Sequence, residues 1–248
     1  MIANTQSGTT IDEIEEGIFR ISVPVPEMDF AFNQYLVVDD EPLLFHTGFR
    51  HHFPLVSEAI GKVMPVNRLR YVAFSHFESD ECGALNQFLA AAPTAVPLCS
   101  RVAAMVSVAD YADRPPRPMA DRETLSLGKR TMEWFDAPHL PHGWETGYLF
   151  DQTSRTLFCG DLFTQGGVKS APLVDSDLIG PSEGFRVGFS QMTGLPDTYG
   201  MTRDARVHLD KLASTDPKTL ALMHGSAWQG AAGEAAQMLR TLADLVTA

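Results

Sequence analysis

The segment Ser75-His76-Phe77-Glu78-Ser79-Asp80-Glu81-Cys82-Gly83 follows the apolar run Leu69-Arg70-Tyr71-Val72-Ala73-Phe74. It sets an imidazole and two carboxylates, His76, Glu78 and Asp80, at alternate positions where a strand would give way to a loop and a helix. Alternate side chains of an extended segment point to one side, so these groups can converge on one point. Such a triplet points to half of a metal site, and to a site for two ions. Three further places repeat the arrangement after apolar runs. His139-Leu140-Pro141-His142 follows Trp134-Phe135-Asp136-Ala137-Pro138, Asp161 follows Leu157-Phe158-Cys159-Gly160, and His224-Gly225-Ser226 follows Leu220-Ala221-Leu222-Met223. A rigid scaffold aims ligands by delivering them from strand ends onto one rim.

The elements that must position these residues follow from periodicity and turn chemistry. Residues 17–24, 32–38 and 43–48 read as strands, the last two joined by a turn at Asp39-Asp40-Glu41-Pro42. A helix is expected over 53–64, with Leu55, Val56, Ile60 and Val63 at helical spacing. A strand over 69–74, a helix over 83–92, a strand over 94–98 and a helix over 101–111 complete the first half. The proline-rich residues 113–118 are expected to be irregular. Gly128-Lys129 turns a hairpin between 124–127 and 130–135, and strands over 147–150 and 155–159 pair next. A loop-rich, partly helical stretch then leads to a strand over 219–223 and a last helix over 233–247. Both halves, about 1–122 and 123–248, place strands first and helices after. That plan predicts an α+β fold, a duplicated four-layer αββα sandwich in a single domain over 1–248, rather than a βαβ parallel fold.

Composition narrows the classes. With 44% hydrophobic and 20% charged residues among 248, the chain suits a soluble protein with a sizeable core. A formal net charge of −12 argues against nucleic acid and anionic lipid as partners. No run approaches the roughly 18 apolar residues of a membrane span, and the first residues carry no secretory signal. The three cysteines, Cys82, Cys99 and Cys159, lack C-x-x-C spacing and suit a reducing, cytoplasmic setting, where they read as buried packing residues.

In order and spacing, over nearly the whole chain, the strand-end residues resemble the metallo-β-lactamase superfamily. Its pattern is His-x-(His or Glu)-x-Asp, then a His, a bridging Asp and a final His. Glu78 directs the resemblance further. Flavodiiron proteins and the related oxygen-binding diiron proteins carry Glu there, where zinc hydrolases generally carry His. His142-Gly143-Trp144-Glu145-Thr146 is also similar to the flavodiiron counterpart. The resemblance implies one ion on His76, Glu78 and His142 and a second on Asp80 and His224, with Asp161 bridging and Glu78, Asp80 and Asp161 as the catalytic carboxylates. A glutamate donor favours iron or manganese over zinc. Two iron ions are therefore expected, with manganese or zinc as alternatives.

Two positions depart from the family pattern. Glu81 stands where a His is usual, and it either binds the second ion, turns away, or acts as an acid at a helix start. His46, in Phe45-His46-Thr47-Gly48, replaces an Asp and is expected to orient a ligand by hydrogen bond. His142 fits the spacing to Glu145-Thr146 better than His139, which is left as its neighbour. His51-His52 reads as a solvated helix start and His208 as a surface residue. Residues 112–121 and 166–183 are expected to cover the metals, with Phe163, Phe185 and Phe189 as an apolar wall. Trp144 and Trp228 are candidates to line the cavity, and Trp134 to pack the core.

The function implied is a non-haem diiron protein that binds or reduces O2 or NO, as an oxidoreductase or an oxygen sensor. With the last motif so near Ala248, no flavodoxin domain is expected, and electrons are expected from a separate donor. A homodimer is the family's common state. The alternative is a metal-dependent hydrolase of an ester, thioester, lactone or phosphoester, using a metal-bridging hydroxide. A metal held only for structure ranks last, because open carboxylate-rich sites suit that role poorly.

Overall fold

Short apolar runs separated by turn residues pair into two seven-stranded sheets among the described residues, 1–168, 170–195, 199 and 203–247 of the computed structural model. The first sheet runs in chain order through β1 (Thr10–Glu15), β2 (Ile18–Val25), β3 (Phe30–Val37), β4 (Leu43–Phe45), β5 (Tyr71–Ala73), β6 (Val96–Ser100) and β7 (Arg117–Met119). Its first four strands form an antiparallel meander, and β4 to β7 are parallel. The crossovers carry α1 (Phe53–Gly61), α2 (Ser79–Cys82) and α3 (Leu85–Ala91). Before β7 come α4 (Arg101–Ala103), a π-helical turn (Ala104–Val108) and α5 (Ala109–Tyr111).

The second sheet uses β8 (Thr124–Ser126), β9 (Thr131–Asp136), β10 (Gly147–Asp151), β11 (Thr156–Gly160), β12 (Leu173–Val174), β13 (Thr219–Leu222) and β14 (Ala227–Gln229). Their spatial order is β12-β14-β13-β11-β10-β9-β8. Here too an antiparallel meander of four strands is followed by a parallel neighbour, β13 beside β11. Helices α6 (Ile179–Thr193) and α7 (Ala205–Ala213) lie between β12 and β13, and α8 (Glu234–Val246) closes the described chain.

Three apolar layers hold four structural layers together. Tyr35, Phe45, Leu98, Trp134, Leu149 and Phe158 fill the space between the sheets. Val56 and Ile60 of α1 and Leu85 and Phe88 of α3 cover the first sheet. Leu209 and Leu212 of α7 and Leu239 and Leu242 of α8 cover the second. The fold is the αββα sandwich that the sequence predicts. At roughly 25 cal/mol per Å² of apolar surface removed from water, burial on both sheet faces supplies the main drive to fold.

Several elements differ from expectation. β1 does not show in the sequence because Ile11 faces the helices and Ile14 the other sheet, so its apolar residues fall on opposite faces. A register break between Glu13 and Glu15 further hides the strand period. Residues 113–118 are not wholly irregular, since Arg117 and Pro118 enter β7, where Pro118 pairs with Cys99. β7 lies at the end of its sheet, the position that tolerates a residue without an N–H. The two-residue β12 and three-residue β14 are too short for any pattern to mark.

Parallel pairing lays the carboxyl ends of β4 and β5 on one rim of the first sheet, and those of β11 and β13 on one rim of the second. Polar contacts clamp the rims together. The Tyr35 hydroxyl donates to the Leu222 carbonyl at 2.6 Å, and Asn33 Nδ2 donates to the carbonyls of Leu222 and Gly225 at 3.0 and 2.8 Å. Gly147 N–H donates to the Ser75 carbonyl at 2.9 Å.

Candidate metal centre

The chain leaves β5 after Ala73 and bends through Ser75–Phe77, where Glu78 N–H donates to the His76 carbonyl at 3.2 Å, before Glu78, itself extended at φ −124° and ψ 163°, leads into α2. His76 is buried, Glu78 stands half-exposed at the mouth, and Glu81 lies fully buried within α2. Two groups of donor atoms form there, the atoms of each lying within 4.8 Å of one another: His76, Glu78, His142 and Asp161, then Asp80, Glu81 and His224. Every residue proposed from sequence as a ligand is in one of them. His139 is outside both. It sits exposed at φ 63°, its N–H donating to the Gly143 carbonyl in the turn that carries His142.

Asp161 lies between the groups with one oxygen toward each. Its Oδ2 is 3.6 Å from His76 Nε2 and 3.7 Å from His142 Nε2, and its Oδ1 is 3.4 Å from His224 Nε2. Glu78 Oε1 is 3.2 Å from His142 Nε2, the two imidazole Nε2 atoms approach within 3.0 Å, and Asp80 Oδ2 is 3.6 Å from His224 Nε2. Donors about 3 to 3.7 Å apart match the edges of a coordination shell with bonds of roughly 2.1 Å.

Backbone and buried partners aim the imidazoles. His224 Nδ1 donates to the Ala31 carbonyl at 3.0 Å, which leaves Nε2 for the centre. His76 Nδ1 lies 3.0 Å from Ser75 Oγ, which lies 3.0 Å from His46 Nε2. Ser75 N–H also donates to that Nε2, and His46 Nδ1 lies 2.9 Å from Met223 Sδ. One protonation pattern satisfies the chain: His46 Nδ1–H faces sulfur, the Ser75 hydroxyl donates to His46 Nε2, and His76 Nδ1–H donates to Ser75 Oγ. It requires a neutral His46, which burial, outweighing Asp161, pushes down to about 3. The orienting role expected of His46 would thus run through Ser75, which nothing in the sequence marks beyond its place before His76. Glu145 was likewise missed as a positioning group. Its Oε1 accepts from Phe77 N–H at 2.9 Å and its carbonyl accepts from Ser100 Oγ at 2.7 Å, fixing the backbone between His76 and Glu78.

Gly160 makes room for this arrangement. It has φ +49°, and a Cβ there would stand 2.8 Å from Ser75 Oγ, so a side chain at the residue before Asp161 would displace the serine that braces His76.

The charges test whether the residues fit metal ions. Neither carboxylate oxygen of Glu81, nor Oδ1 of Asp161, accepts a hydrogen bond from a described residue. Burial, with Asp161 and Asp80 beside it, raises the Glu81 carboxyl well above its usual range. Pairing with His142 first, and then with His76, holds Glu78 down to about 2. Burial opposes ionisation of Asp161 and of His224, yet their pairing wins in both: Asp161 is lowered by His224 and His76, and His224 is raised to about 9 by Asp161 and Asp80. Buried anions without donors are costly unless a cation compensates. Three imidazoles and four carboxylates converging with unmet oxygens fit a pair of divalent ions.

A cavity of about 490 Å³ opens over the first group and is lined by Phe30, His142, Asp161, Phe185, Phe189 and Tyr199 among others. Phe30 stacks on Phe185, which stacks on Phe189, and the Phe30 ring centre is 4.2 Å from that of His224. Phe185 and Phe189 of α6 are the expected wall, whereas Phe163 is buried in the core. Residues 112–121 do not line it, being drawn into the edge around β7. Residues 166–183, of which Lys169 lies outside the described residues, lead into α6 and do not themselves line it. Trp228 and Trp134 pack in the core and Trp144 is exposed. His51 is solvated, but His52 is buried beside Phe32 and Phe49, since the helix start turns inward there. His208 is half-buried on α7. All three cysteines are buried, outside both donor groups.

The αββα sandwich with donor residues gathered near its strand ends defines a metallo-β-lactamase-type protein. The chain belongs to the family described as ODP family beta lactamase, whose model matches residues 30–225. It is 29% identical over 140 residues to the rubredoxin-oxygen oxidoreductase of Megalodesulfovibrio gigas, covering 56% of this chain and 35% of that one. It is 30% identical over 157 residues to the nitric oxide reductase of Moorella thermoacetica, covering 60% of this chain and 38% of the other. The matched stretches thus span little more than a third of these relatives. The rubredoxin oxygen:oxidoreductase structure from Desulfovibrio gigas superposes with a TM-score of 0.80 at 21% identity, over 95% of this chain and 62% of that one. Among the described residues no helix is long and apolar enough to cross a membrane.

Proposed function

We propose that this chain is a non-haem diiron protein that binds or reduces O2 or NO. Asp161 carries the reading, because its two oxygens face the two donor groups separately, as a bridge between ions requires. His76, Glu78 and His142 would hold one iron, and Asp80, Glu81 and His224 the other. Ferrous ions held there supply electrons and open coordination to a diatomic ligand. Each protein group has a task. Asp161 would offer one oxygen to each ion, the Ala31 carbonyl and Ser75 fix the imidazoles, and the Phe30–Phe185–Phe189 wall keeps the approach apolar. The relatives named for oxygen and nitric oxide reduction support the chemistry. Reducing O2 to water takes four electrons and four protons, more electrons than two ferrous ions hold, so turnover requires an outside donor and a sensor does not. A reducing cytoplasm suits the three free thiols, and a homodimer remains the family expectation.

The test is spectroscopic. Iron-loaded protein, reduced anaerobically and then exposed to O2, should gain a near-ultraviolet charge-transfer band that dithionite removes. A spectrum indifferent to both reagents would sink the proposal. The cavity volume favours one second reading, since 490 Å³ exceeds what a diatomic molecule needs. A metal-dependent hydrolase of an ester, thioester, lactone or phosphoester would use that space. Turnover of such esters by zinc- or manganese-loaded protein, with no response to O2, would select it.

A further inference from the structure

The two donor groups differ in kind. The first offers two imidazoles, with Glu78 and one Asp161 oxygen, while the second offers a single imidazole, with Asp80, Glu81 and the other Asp161 oxygen. We infer that Glu81 makes the second position a hard-ion site, so that this centre accepts an iron–manganese pair, with manganese(II) on the Asp80–Glu81–His224 side. This rests on the two-metal reading above and adds which ion each side selects.

Three observations carry it. Glu81 is fully buried, and neither of its carboxylate oxygens accepts a hydrogen bond from a described residue. Its backbone is pinned, because Thr47 N–H and the Thr47 hydroxyl both donate to the Glu81 carbonyl, at 2.7 and 3.2 Å. A side chain so anchored and so poor in donors is built to meet a cation. Charge gives the third. Glu78, Asp80, Glu81 and Asp161 return four negative charges, which balance two divalent ions without a hydroxide between them. Imidazole suits iron and zinc, whereas carboxylate suits manganese and other hard ions. Iron(II) still outranks manganese(II) at any one nitrogen–oxygen site. What an oxygen in place of a nitrogen changes is the margin, and it narrows that margin on one side of the centre only.

The test counts metals rather than turnover. Chelator-stripped protein is incubated anaerobically with iron(II) and an about tenfold excess of manganese(II), desalted, and analysed for both elements. The expected result is close to one manganese and one iron per chain. Glu81→His, which puts a nitrogen back, and Glu81→Gln, which keeps the shape and removes the charge, should each lower the manganese-to-iron ratio by about threefold or more. Thermal melts establish that each variant is folded, and either one alone suffices. Two irons and no manganese in the unaltered chain overturns the inference and leaves the diiron reading in place, as does a ratio that neither substitution moves. Failure to take up either metal removes both.

Discussion

Ser75 shows how much one small side chain carries. Its hydroxyl joins two buried imidazoles, and no other described group reaches both His46 Nε2 and His76 Nδ1. Ser75→Ala should lower metal affinity by about 10- to 100-fold, the usual effect of losing a partner behind a ligand. It should also cost about 1–3 kcal/mol of stability through the donor left unpaired. Metal titration and urea unfolding measure the two, and an unchanged affinity would remove Ser75 from the role. His52 makes a separate prediction. Burial first, and then His51, holds it down to about 4, against about 6.5 in an unfolded chain. Between those values the unfolded chain takes up a proton that the folded one refuses. The stability present above pH 6.5 is therefore lost as the pH falls toward 4. The urea midpoint should drop over that window, and less so in His52→Leu. An equal drop in both would place the acid sensitivity elsewhere.

At the level of elements, the donor residues that the fold gathers were legible because most stand a few residues past an apolar strand, and local order along the chain marks such places. The partners that brace them were not. Ser75 and His46 lie 29 positions apart, and Phe77 and Glu145 lie 68 apart, so only the pairing of strands and sheets brings them together. The same limit hid β1, whose two isoleucines serve different layers, and the strand around Pro118. Buried His52 was misread because a pair of histidines before a helix looks polar until Phe32 and Phe49 close over one of them. The strand end at Gly160 yields a prediction of its own. A left-handed φ costs a side chain roughly 1–2 kcal/mol and overpacking against Ser75 adds about 1–3, so Gly160→Ala should lose about 2–5 kcal/mol. Denaturant unfolding reads this directly, and a neutral result would show that Ser75 and its neighbours yield without strain.

At the scale of the whole molecule, the ligands divide between the sheets. His76, Glu78, Asp80 and Glu81 come from the first, and His142, Asp161 and His224 from the second. Two divalent ions would offset a third of the formal charge of −12, at the place where four carboxylates crowd together. Chelation should therefore destabilise the molecule by about 5 kcal/mol relative to protein with free metal at a hundred times Kd for both sites, about 2.7 kcal/mol for each ion lost. Calorimetry with and without chelator measures that difference. Identical melting curves would mean that the ions contribute nothing to the fold.

The hydrogen bonds of Tyr35 and Asn33 to the Leu222 and Gly225 carbonyls knit the same border between the two halves. Whatever alters the electric charge at the centre must consequently pull or push across that border, and a neighbour prising the halves apart would disturb the chemistry in return. Parting the halves would part the two sets of donor residues with them.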